Sequence, residues 1–240
     1  MKKYGVILLL VSAVNLAAAQ SGFHIAAGAG YKKPVLELLK NFELDTGTKG
    51  EGSFGNMRQV TSQVQQGQNI ALVLGDKRFL SQKSKINFTK YVSVGKGRLV
   101  LAWPKGSKVT GVEDLATDKV KKLAMPQPGK AIYGIAGDEF LEKSGLKAKV
   151  QTKLLVVDTV PQVAAYLVTN EVDAGLLNLT AVLAQKSMLE GYQAIDEKLY
   201  APIEIVIGVL PQCSQEAACG RFLEYVTGEK SQAVFRKYGL

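Results

Sequence analysis

Short apolar runs alternate with helix-period patterns along almost the whole chain, and that alternation restricts it to strands joined by crossover helices. The runs predict strands at 23–27, 70–74, 98–103, 122–126, 154–158, 172–177 and 203–210. Between them Val35, Leu38, Leu39 and Phe42 recur at helical spacing, as do Val160, Val163, Ala164 and Leu167. The latter helix has a clear start: Asp158 or Thr159 caps it, and Pro161 sits in the first turn, where a missing N–H costs nothing. Further helices are expected over 135–143, 215–226 and 229–237. The fold class is α/β, and no internal repeat or low-complexity stretch is visible.

The first strand leads directly into Gly28-Ala29-Gly30 and a helix from Tyr31 to Phe42. A helix that starts at the end of a buried strand presents unpaired N–H groups to whatever lies above the sheet, and such groups favour anions.

Ahead of that strand Lys2 and Lys3, the apolar run Val6 to Val11 and the small residues Ala17-Ala18-Ala19 form an export signal. Residues 1–19 are expected to be removed before Gln20, leaving the mature chain free in the periplasm. The run is too short to span a bilayer, no later segment reaches about 20 apolar residues, and no cysteine follows the cleavage point to take a lipid.

About 220 residues remain, enough for two lobes of about 100 each. The formal charge of +9 falls to +7 without the leader lysines. The remaining lysines are scattered, with no basic run interleaved with aromatics, so nucleic acid is not an expected partner. The excess charge still helps to draw in an anion. Cys213 and Cys219 are the only cysteines and are expected to form one disulfide just before the last helices. Trp103-Pro104 and Tyr200-Ala201-Pro202 read as lobe boundaries. The expected organisation is residues 20–102 plus 204–240 in lobe one and 103–203 in lobe two, with a two-strand hinge and a cleft between them.

One histidine, His24, and two bonded cysteines leave no serine–histidine triad, no cysteine–histidine pair and no zinc ligand set, so neither an enzyme nor a metal site is expected. His24 reads as a packed strand residue. The glycine bend lacks the third glycine of a dinucleotide fingerprint, since Lys33 stands there, and no cofactor is expected.

Phe23 to Gly47, Ser62-Gln63-Val64-Gln65-Gln66-Gly67, Gly97-Arg98-Leu99-Val100-Leu101, Glu113-Asp114-Leu115, Met125-Pro126 with Ala131-Ile132-Tyr133-Gly134, Val172-Asp173-Ala174-Gly175 and Lys237-Tyr238-Gly239-Leu240 resemble the periplasmic molybdate-binding proteins. The resemblance runs in order over essentially the whole mature chain. It implies the type II periplasmic-binding-protein fold, in which two lobes, each a mixed, mostly parallel sheet flanked by helices, close over a tetrahedral oxyanion. It also implies an ABC importer, with a small anionic ligand and a membrane permease as partners; the chain itself is expected to be a monomer.

The candidate ligand-binding residues are Gly28, Ala29, Gly30, Tyr31, Asn56, Met57, Arg58, Ala131, Tyr133, Thr159, Val160 and Asn178. The family carries serine hydroxyls where this chain has Ala29 and has Asn56 or Met57, and a hinge-side tyrosine where it has Asn178. At about 1.5–3 kcal/mol for each hydrogen bond to a charged group, such losses matter. Asn56, Arg58, Thr159 and Asn178 are the candidate replacements. Arg58 is either a guanidinium at the mouth that grips a carboxylate or phosphate, or a solvent-facing arginine. Tyr31 and Tyr133 either offer hydroxyls to the cleft or simply pack. Three further readings stay open: the same fold retuned for a phosphate- or carboxylate-bearing metabolite or a metal ion, a secreted interaction protein or adhesin, and a hydrolase without a motif.

Overall fold

The computed structural model describes residues 22–240, so the export signal read at 1–19 lies outside the described residues. In chain order the elements are β1 (Phe23–Gly28), α1 (Lys32–Thr46), β2 (Gly50–Gly55), α2 (Met57–Gln65), β3 (Leu72–Asp76), α3 (Lys77–Gln82), β4 (Lys90–Gly97) and β5 (Leu99–Pro104). There follow β6 (Leu123–Pro126), α4 (Ile132–Lys143), α5 (Lys147–Val150), β7 (Leu154–Val157), α6 (Val160–Val168), β8 (Ala174–Asn178) and α7 (Leu179–Leu183). The chain ends with β9 (Leu189–Ala194), β10 (Ile203–Val209), α8 (Ala217–Thr227) and α9 (Glu229–Lys237).

The strands form two five-stranded sheets, ordered β2-β1-β3-β10-β4 and β7-β6-β8-β5-β9. β1 pairs parallel with β2 and β3, and β6 parallel with β7 and β8. β10 in the first sheet and β5 in the second are antiparallel to both of their neighbours. Each sheet therefore has four strands running one way and one against them. The chain passes between the sheets twice, from β4 to β5 and from β9 to β10.

The first of these crossings corrects an expectation. A departure after Ala102 would cut β5, but β5 pairs with β8 and β9 from Leu99 onward, so the chain changes sheets at Arg98. Trp103-Pro104 marks the far end of that strand, where the register with β9 shifts and proline has no N–H to continue the ladder.

Helices cover the sheets with the stripes that periodicity defines. Val35, Leu38, Leu39 and Phe42 of α1 are buried, as are Val160, Val163, Ala164 and Leu167 of α6. α1 stops at Gly47, whose φ of 69° is left-handed and whose N–H closes on the Glu43 carbonyl at 2.8 Å. Phe23, Phe42 and Phe222 stack edge and face between β1, α1 and α8. Cys213 and Cys219 are disulfide-bonded, which ties the turn after β10 to the first turn of α8.

Candidate functional site

Parallel strands deliver successive helix starts to one edge of a sheet, and here two sheets turn those edges toward each other. A small cavity lies where they meet. Its wall consists of Gly28, Ala29, Gly30 and Tyr31 after β1, Gly55, Asn56 and Met57 after β2, Ala131, Ile132 and Tyr133 after β6, and Thr159 and Val160 after β7. The empty space including its mouth is about 290 Å³. That space suits a small guest and not a sugar or peptide.

No charged side chain stands in this wall. What it can offer an anion is the backbone dipoles of the helix starts, because the first N–H groups of each helix lack an intrahelical carbonyl. The four starts are not alike. α2 is closed by its own side chains: Asn56 Oδ1 accepts from Gln59 N–H and Gln59 Oε1 accepts from Asn56 N–H, both at 2.9 Å. In α6 the Gln162 Oε1 accepts from the N–H and the hydroxyl of Thr159, at 2.9 and 3.2 Å. The turn that begins at Ala29 and the start of α4 at Ile132 carry no side-chain cap.

Tyr31 and Tyr133 meet across the two halves, hydroxyl to hydroxyl, at 2.7 Å. Burial pushes the Tyr31 phenol well up, and the charge of Tyr133 adds to this. Burial also raises Tyr133, against the lowering effect of its bond to Tyr31. Both therefore remain protonated at neutral pH. One proton is spent in the mutual bond, which leaves the pair a single donor. Gly97, at the β4–β5 crossing, leaves space for this pair, since a Cβ there would collide with the Tyr133 hydroxyl.

Other bonds also join the halves. Arg58 N–H donates to the Lys130 carbonyl at 3.3 Å, and Lys33 Nζ to the Ala184 carbonyl at 2.7 Å. Arg78 on α3 donates through Nη1 and Nη2 to Glu139 Oε1 on α4, both at 3.2 Å, while Glu139 Oε2 accepts from Ala201 N–H at 2.7 Å. One carboxylate thus holds α3, α4 and the returning crossover together. Pairs so far apart in sequence carry no local signal, and this one was not foreseen.

A family model described as bacterial extracellular solute-binding protein matches residues 23–240. The chain belongs to that family. It is 26% identical to the molybdate-binding protein ModA of Azotobacter vinelandii over 247 residues, covering 98% of this chain and 95% of that protein. The solved periplasmic molybdate-binding protein of A. vinelandii superposes with a TM-score of 0.81 at 20% identity, covering 90% of this chain and 97% of that one. PEB3, solved with L-phospholactate bound, superposes with a TM-score of 0.71 at 14% identity over 90% of this chain and 98% of that one. The two mixed sheets are the type II periplasmic-binding-protein fold of this family.

Of the expected site residues, Gly28, Ala29, Gly30, Tyr31, Asn56, Met57, Ala131, Tyr133, Thr159 and Val160 are brought into the one wall, joined there by Gly55 and Ile132. Arg58 and Asn178 are not in it. Arg58 lines a wider basin outside, with Phe54, Gln59, Lys130 and Asp158. Asn178 caps α7 by accepting from Ala181 N–H at 3.1 Å and donates to the Gly30 carbonyl at 3.2 Å, which stitches β8 to the first glycine bend. Asn56 Oδ1 and the Thr159 hydroxyl are bonded within their own helix starts, which holds the wall in shape. His24 lies on β1 away from the cavity. Among the described residues no cluster of histidine, cysteine and carboxylates is suited to a metal, and no helix is long and apolar enough to cross a membrane.

Proposed function

We propose that the chain is the extracytoplasmic capture component of an ABC importer, that it encloses a compact tetrahedral oxyanion of the molybdate and tungstate kind between its two halves, and that it hands this ion to a membrane permease. One observation carries the reading: four helix starts, two from each sheet, converge on a cavity of ionic size that contains no charged side chain. An anion enclosed there exchanges its hydration for peptide N–H groups. The A. vinelandii relative, a molybdate-binding protein, supports the same class of guest. Closure follows from differential affinity, because the guest touches N–H groups of both sheets only when the halves are together.

The test is thermal unfolding of the stripped protein with molybdate, tungstate, sulfate, phosphate, small carboxylates and metal ions. A ligand at 100 times its Kd adds about 2.7 kcal/mol, a rise of about 5–11 °C for a chain of this size. Molybdate and tungstate are expected to give such a rise. A panel in which only metal ions or only carboxylates shift the transition overturns the reading.

A further inference from the structure

The basin outside the small cavity has chemistry of its own. It has a volume of about 840 Å³ and meets the cavity at Gly55 and Asn56, which line both. Arg58 enters it from the start of α2 on the first half and Lys130 from the loop before α4 on the second. Lys32 stands 5.8 Å over the ring of Phe54, which is also part of the basin wall. Asp158 is the basin's one carboxylate, which leaves the surroundings net positive. None of these four charges takes part in the ion pairs among the described residues. The Arg58 N–H bond to the Lys130 carbonyl brings the two cation-bearing segments side by side at the mouth.

From this arrangement we infer a second subsite and with it a second ligand class: a small organic acid carrying a phosphoryl group, its phosphoryl oxygens in the inner cavity and its carboxylate between Arg58 and Lys130. The inference rests on the inner cavity taking an oxyanion. Each subsite suits its own group. The inner wall, made of four helix starts and without a charged side chain, suits a compact head that is stripped of water. The outer basin stays wet and offers a planar guanidinium, whose paired donors match a carboxylate, and an ammonium from the other half. A bare oxyanion uses the first subsite alone. A two-headed ligand uses both and, because its outer head lies between Arg58 of one half and Lys130 of the other, adds a second tie across the closed cleft.

The experiment is calorimetric titration of the stripped protein with molybdate, inorganic phosphate, glycolate and 2-phosphoglycolate, repeated with Arg58→Gln and with Lys130→Gln. Phosphoglycolate is expected to bind at least about tenfold more tightly than inorganic phosphate, the scale of one charge-assisted pair. Either substitution is expected to bring that ratio close to one. A ratio of one in the unsubstituted protein overturns the inference, and so does a ratio that both variants leave unchanged. Molybdate separates the two readings: if it binds while phosphoglycolate gains nothing over phosphate, the subsite alone fails. If none of the oxyanions binds, the inner cavity's role fails and the subsite falls with it. Thermal unfolding of each variant shows whether it is folded.

Discussion

The two halves repeat one scheme, and the instructive comparison is between the helix starts within each. In both sheets an inner strand, β1 or β6, leads to a start without a side-chain cap, and the neighbouring edge strand, β2 or β7, leads to a start whose cap-residue N–H is held by the glutamine at the third helical position. A capped start turns its N–H groups back on itself and gives a fixed wall. An uncapped start leaves them for something else. On the proposed reading two of the walls chiefly hold shape and two carry the donors, one of each kind from each half.

The largest effect is expected where an uncapped start is pushed out of place. Gly134 lies in the first turn of α4, and a Cβ there would collide with the carbonyls of Pro126 and Gln127, which are backbone and cannot swing aside. Gly134→Ala should displace the loop before α4 together with the N–H groups of Ile132 and Tyr133. At about 1.5–3 kcal/mol for each hydrogen bond to an anion, affinity for molybdate should fall by at least about 100-fold. Gly220→Ala on α8, where a Cβ meets nothing within 4 Å, is the control and should bind normally. Equal affinities for the two variants, measured by titration calorimetry, would mean that the start of α4 donates nothing to the guest.

Breaking the capped starts should do the reverse, costing stability and sparing affinity. Gln59→Ala and Gln162→Ala each remove the acceptor that closes one start. The loss of about 1 kcal/mol lowers Tm by about 2–4 °C, while affinity stays within about threefold. A drop in affinity comparable to that of Gly134→Ala would erase the distinction between wall and donor.

How much of this was legible in the sequence follows the same division between inner and edge positions. Strands buried on both faces read as continuous apolar runs, so β1, β3, β5, β6, β8 and β10 announce themselves. Edge strands do not. β2 is Gly50-Glu51-Gly52-Ser53-Phe54-Gly55, a glycine-rich strand in which the side chains of Phe23 and Leu39 fill the space beside Gly50. β4 and β9 carry Lys90, Lys96, Glu190 and Gln193, a polar surface that masks their pairing. Of the edges only β7, with its Leu-Leu-Val-Val, was readable. The cavity wall was legible because helix starts follow strand ends, a local relation. Arg58 lines the outer basin and Asn178 caps α7, positions that local sequence does not decide because which way a first-turn side chain points depends on tertiary packing. The Arg78–Glu139 and Tyr31–Tyr133 bonds join residues 61 and 102 positions apart, and nothing local encodes such pairs.

The third strands give the finest test, because there the halves differ chiefly in charge. β3 ends in Asp76, whose carboxylate accepts from Arg78 and Phe79 N–H at 3.4 Å each and starts α3. β8 ends in Asn178, which starts α7 in the same manner with a neutral amide. Burial raises Asp76 above its ordinary value of 3.8, opposed by the N–H and guanidinium of Arg78 and by Phe79 N–H. The folded protein therefore holds that proton more tightly than the unfolded chain. The stability linked to it is fully present below pH 3.8 and is lost as pH rises through the raised value. Asp76→Asn keeps one of the two capping acceptors, removes the buried charge and brings the halves closer to each other, while Arg78 retains Glu139. Its Tm should be slightly above that of the unsubstituted protein at pH 7, and the gap should close as pH falls below 3.8, as read from paired melts across that range. A variant less stable at pH 7 would mean that the Arg78 cation needs the Asp76 charge, and that the first half is held by an ion pair that the second half does without.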